Sequence, residues 1–121
     1  MTESAVSYLE SGCNCSQCVV MAAGDFYGLR LPEEIKRALT GVTAGFGAGS
    51  ACSALVGAVI VFGLLMDEYE CKRARITLLS EFARKYGAIN CAALRKTGMD
   101  CKEFIAGAAG LAEGIIRERQ P

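Results

Sequence analysis

Apolar residues along the chain recur at three- and four-residue spacing and strict alternation is nearly absent, so the pattern predicts an all-α fold. Residues 3–11 (ESAVSYLES) place Ala5, Val6 and Leu9 on one face of a short helix that Gly12 ends. Asn14, followed by Gln17 three residues later, has the capping-box pattern, which puts Asn14 at N-cap and Cys15 at N1 of a helix closed by Gly28. Pro32 suits N1 of a third helix, PEEIKRAL, whose acidic start and basic later turn match the helix dipole and which Gly41 ends. Asp67 caps a long amphipathic helix, EYECKRARITLLSEFARKY, with Ile76, Leu79, Phe82 and Ala83 on its apolar side and Gly87 as its stop. Asn90 then caps a short turn, CAALRKTG, and Asp100 with Glu103 forms a second capping-box pattern ahead of CKEFIAGAAGLAEGIIRERQ.

From Ala38 to Met66 the chain carries no charge. The first part, TGVTAGFGAGS, has glycines at 41, 45, 47 and 49 and reads as a tightly turned loop leading to Ser50 as the N-cap of a helix over Ala51 to Met66. That helix is apolar on every face, yet its roughly 16 residues fall short of the roughly 20 that a membrane span needs. It is expected to be the buried centre of one domain, residues 1–121, a compact bundle of about five to seven helices.

Charge and composition narrow the chemistry. Thirteen basic residues against thirteen acidic ones leave no electrostatic footprint for nucleic acid or an anionic membrane surface. The start, MTESAVSYLES, lacks a cationic region followed by an apolar run, so no secretory signal is visible and a cytoplasmic protein is expected. The absence of histidine removes imidazole-assisted hydrolysis, histidine-ligated zinc and the C-x-x-C-H haem attachment site. GFGAGS lacks the lysine of a phosphate-binding loop, and Glu33, Glu34, Glu68, Glu70, Glu113 and Glu118 read as solvated helix faces. Seven cysteines, an odd number in a reducing compartment, favour metal binding or redox chemistry over a disulfide framework.

The cysteines are not equivalent. Cys15, Cys91 and Cys101 each follow an Asn or Asp N-cap directly, and Cys52 comes two residues after Ser50, so four thiols are expected in first helical turns. Unpaired N–H groups and the positive end of the helix dipole favour a thiolate there, the form that ligates metals and attacks disulfides. Cys18 completes a C-x-x-C with Cys15, the spacing of thiol-disulfide oxidoreductases, although no strand precedes it as a thioredoxin-like fold requires. Cys71, behind Glu68 and Glu70, reads as structural.

The residues G-x-N-C-S-Q at Gly12 to Gln17, C-S-A-L-V-G at Cys52 to Gly57, Phe62-Gly63-Leu64-Leu65, Cys91-x-x-Leu94 and Cys101 together resemble the bacterial and archaeal family of redox-active proteins named for its C-GCAxxG-C-C pattern. The resemblance spans about Ser7 to Leu111, with its motifs in order. It implies that the family's four cysteines fall on Cys15, Cys52, Cys91 and Cys101, the set that the capping pattern also selects. Ser53 stands where the family usually has Gly, Cys18 where it usually has Ala, and Cys13 and Cys71 are additions. A similar domain occurs in split-Soret cytochromes, which carry an iron-sulfur centre beside their haems.

The resemblance therefore implies an iron-sulfur cluster held by Cys15, Cys52, Cys91 and Cys101, serving electron transfer or redox sensing with a redox partner protein. Alternatives are a thiol-disulfide or peroxide-reducing enzyme using Cys15 with Cys18 or Cys52, a non-redox module holding zinc through the same four thiols, and an interaction domain in which the cysteines only pack. Gly107, Gly110 and Gly114 would permit close helix packing in a homodimer or, equally, within the chain.

Overall fold

The computed structural model describes residues 1–119. Among them are seven α-helices and no strand: α1 (Thr2–Glu10), α2 (Cys15–Tyr27), α3 (Glu33–Ala38), α4 (Ser53–Leu65), α5 (Glu68–Tyr86), α6 (Cys91–Arg95) and α7 (Cys101–Arg119). The all-α expectation holds. No helix among the described residues is long and apolar enough to cross a membrane.

The caps set most boundaries. At α2 the capping box is complete, since Gln17 N–H donates to Asn14 Oδ1 at 3.0 Å and Asn14 N–H donates to Gln17 Oε1 at 2.9 Å. Asp67 Oδ1 accepts from Glu70 N–H at 2.8 Å to open α5, and Gly28 and Gly87 end their helices in the left-handed conformation. Pro32 lies at the N-cap of α3, one position before the one expected.

Two starts differ more. Helix α4 begins at Ser53 with Cys52 at its N-cap, not at Ala51 behind Ser50. Ser50 to Cys52 instead runs extended against residues 89–91, with Ala51 bridged to Asn90, Cys52 N–H donating to Ile89 O at 2.9 Å and Cys91 N–H to Ser50 O at 2.6 Å. The same bridge anchors the start of α6, where Asn90 makes no side-chain cap bond. At α7, Asp100 Oδ1 accepts from Lys102 N–H at 2.9 Å, while Glu103 Oε1 accepts from the Tyr86 hydroxyl at 3.2 Å and so leaves the expected box unreciprocated.

Helix α4 packs against α2, α5 and α7. A Cβ on Gly57 would stand 2.7 Å from Ser16 O, so glycine is what lets α2 and α4 approach. The helix is not buried on every face as its composition implied: Val56, Val59 and Ile60 are half-buried and Leu64 is 44% exposed. On α5 the buried stripe is Ala74, Leu78, Phe82 and Tyr86, spaced by four, and Ile76 points outward at 64% exposure. Phe82, Tyr86 and Phe104 stack in one aromatic group, with ring centroids 4.7 Å and 5.2 Å from that of Tyr86. A Cβ on Gly107 would run into the Tyr86 hydroxyl, so this glycine serves packing within the chain.

Candidate functional site

Four chain segments meet at one place because three separate devices aim them there. The first is the start of α2: Asn14 Nδ2 donates to Leu39 O at 3.1 Å, the Ser16 hydroxyl donates to Asn14 Oδ1 at 2.7 Å, and Gln17 Nε2 donates to Lys36 O at 2.8 Å. The polar residues of N-C-S-Q thus tie the first turn of α2, which carries Cys15, to the α3 segment. The second is the bridge between Ala51 and Asn90, which puts residues 52 and 91 on the same side of the paired backbones. The third is the Asp100 cap, which begins α7 at Cys101.

The result is a cavity of about 80 Å³ lined by Cys15, Cys52, Cys91 and Cys101. Thr43, Ala44, Ser53, Leu94, Arg95, Met99 and Phe104 complete the lining, so among the described residues Arg95 is the only basic or acidic side chain on its wall besides the thiols. Cys52 is buried, Cys15 and Cys91 are half-buried, and Cys101 is exposed. Cys18 is fully buried, donates its Sγ–H to Cys13 O at 3.7 Å and does not line the cavity; Cys71 lies apart on α5.

Electrostatics at the site run against the expectation of thiolates stabilised by helix starts. Burial, followed by the charges of Cys101 and Cys52, pushes the Cys15 thiol up to about 11, although a hydrogen bond from Ser53 pulls the other way. Burial also raises Cys52, aided by Cys91 and Cys101 and opposed by the Ala54 and Leu55 N–H groups, which favour charge on its sulfur without forming a full cap bond. Cys18 is pushed up to about 12, again by burial first and then by Cys13 and Cys15. Desolvation outweighs the helix ends, so a metal-free Cys15–Cys18 pair has no ready nucleophile at neutral pH.

The donor set is nevertheless suited to iron or another thiophilic metal, which would supply the positive charge that these crowded sulfurs lack. Among the described residues no three His, Cys, Asp or Glu side chains have the arrangement that one metal ion requires.

Residues 13–115, which include all seven cysteines, match the family described as "Putative redox-active protein (C_GCAxxG_C_C)". The chain belongs to this family. No curated protein and no solved structure matches it. Within the C_GCAxxG_C_C frame, Ser53 gains a meaning that sequence reading missed: it lines the cavity with Cys15 and opposes the rise of that thiol. Its place directly after Cys52 was the available signal. Arg95 and Met99 had none, because only the fold brings α6 and the segment after it onto the thiol cavity.

Proposed function

We propose that Cys15, Cys52, Cys91 and Cys101 hold an iron-sulfur cluster and that the protein serves electron transfer or redox sensing. The observation that carries this reading is the convergence of these four thiols, out of seven, on one cavity with a single charged side chain in its wall. Such a cluster supplies a reversible change of electron count at thiolate-bound iron.

The chain's own groups fit that task. The Ser53 hydroxyl and the Ala54 and Leu55 N–H groups favour negative charge on the sulfurs of Cys15 and Cys52, which is how a protein tunes such a centre. Leu94 and Phe104, both buried, keep water from the inner wall. A single zinc ion would need the four sulfurs drawn around one point at about 2.3 Å, so zinc without sulfide in the metal analysis would favour that reading over a cluster.

A second reading, dithiol-disulfide exchange, draws on Cys101 lining the same cavity as Cys15 and raising its thiol, and would use that pair in place of Cys15 with Cys18 or Cys52. Anaerobic purification followed by visible absorption and iron, acid-labile sulfide and zinc analysis separates the readings. Iron with sulfide, lost when any of the four cavity cysteines is replaced by Ser and kept in Cys71→Ser, is the expected result. A colourless protein after anaerobic reconstitution, with a Cys15–Cys101 disulfide forming on mild oxidation, would overturn it in favour of exchange.

A further inference from the structure

Residues 43–49, of which Thr43 and Ala44 line the cavity, hold backbone conformations that most side chains avoid. Ala44, Gly45, Phe46 and Gly47 all have positive φ, at 58°, 63°, 64° and 76°, a left-handed turn in which two residues carry a Cβ. Left-handed geometry costs an L-residue energy at each position, and a bulky side chain there is uncommon. Gly45 has a packing reason, since a Cβ would collide with Ser50 N, but Phe46 directs its ring outward and is 57% exposed. Burial therefore does not offset its strain. Beside this turn lies α6, packed on it through Gly49 and Ala92, and beyond α6 comes Met99, which lines the cavity and is 48% exposed.

The segment that carries α6 and the start of α7 is mainly basic although the chain as a whole is neutral. Residues 82–103 contain Arg84, Lys85, Arg95, Lys96 and Lys102 against Asp100 and Glu103. The Asp100 carboxylate accepts from Lys102 N–H and the Glu103 carboxylate from the Tyr86 hydroxyl, and both keep their charge. Arg95 lines the cavity, and Lys96 and Lys102 are exposed next to cavity-lining Arg95 and Cys101. Phe, Met and Arg are the residue types enriched at protein interfaces, and a ring of one charge steers a partner of the other.

Resting on the redox reading above, we propose that the mouth of this cavity, with Met99 and Arg95 in its wall and exposed Phe46, Lys96 and Lys102 close in the chain to wall residues, docks an acidic electron-carrier protein. One electron passes between the carrier and the cavity, one side oxidised as the other is reduced, with no bond made or broken. Cys101 is the exposed one of the four cavity thiols. The contact is small and transient, as electron-transfer encounters are.

The test is calorimetric titration of the protein with a small acidic ferredoxin, and with basic cytochrome c as the opposite-charge control, at 50 and 300 mM salt. Expected are micromolar binding of the ferredoxin, weakening about tenfold or more at the higher salt, and none of the cytochrome. Lys96→Glu with Lys102→Glu is expected to weaken ferredoxin binding about tenfold at low salt and leave iron and sulfide content unchanged. Phe46→Gly separates docking from structure: it relieves the left-handed strain, so Tm holds or rises by a few degrees while binding weakens about tenfold. Binding that ignores salt and charge reversal, equal binding of cytochrome c, or no binding at all would overturn the proposal. Because the docking residues are present without iron, salt-dependent docking by a protein that never loads iron leaves this surface standing and the cluster reading fallen; loaded protein that ignores the ferredoxin does the reverse.

Discussion

At the scale of single residues, burial decides the behaviour of the thiols. In the metal-free protein Cys15 keeps its proton up to about 11 when folded, against an ordinary thiol value of 9.0. Below that ordinary value both the folded and unfolded chains hold the proton; between it and the folded value only the unfolded chain releases it, so stability falls as pH rises through this window. Thermal melts of the reduced, metal-free protein between pH 8 and 11 are expected to show Tm falling, with a smaller fall in Cys15→Ser; a flat profile would refute the role of burial. Gly57 makes a second residue-scale prediction. Alanine gains ~1 kcal/mol over glycine inside a helix, but a Cβ 2.7 Å from Ser16 O overpacks by about 1–3 kcal/mol, so Gly57→Ala should lower the denaturation midpoint with an unchanged slope.

At the scale of elements, two asparagines that look alike as caps do different work. Asn14 closes a complete capping box and also donates to Leu39 O, whereas the start of α6 is held by the backbone bridge to Ser50 and Asn90 makes no side-chain cap bond. Urea denaturation should therefore show Asn14→Ala costing about 1–2 kcal/mol and Asn90→Ala less than about 0.5 kcal/mol. Equal losses would mean that the bridge does not carry the α6 start. The periodicity of α5 illustrates the same limit of local reading: Phe82 was legible as buried, but the stripe runs through Ala74, Leu78 and Tyr86, and Ile76 faces solvent. Hydrophobicity marks a residue as suitable for the core, and only the position of α4 and α7 says which flank of the helix meets it.

At the scale of the whole molecule, the proposed centre would tie the starts of α2, α4, α6 and α7 together. Thiols raised by burial and by one another must give up protons to bind iron, so loading should weaken as pH falls from about 8 to 6 and should release protons. A ligand bound only by the folded chain adds ~2.7 kcal/mol at a hundredfold excess over its Kd, so stripping iron with a chelator should lower Tm by several degrees. An unchanged Tm would show that the four thiols do not act in concert.

The sequence by itself determined the helical class, the starts of α2, α5 and α7 and the identity of the four cavity cysteines, because caps, stops and three-to-four spacing are local devices written within a few residues of each other. The tertiary structure alone decided that these thiols converge, that Cys18 stands outside their cavity and that Ser53 lines it with Cys15. It also decided where α4 begins, since Ser50 to Cys52 was drawn out of the helix by pairing with a segment nearly forty residues away. The physical reason is the same in each case: desolvation and backbone pairing depend on neighbours remote in the chain, and at this site they outweigh the local preference of a helix start.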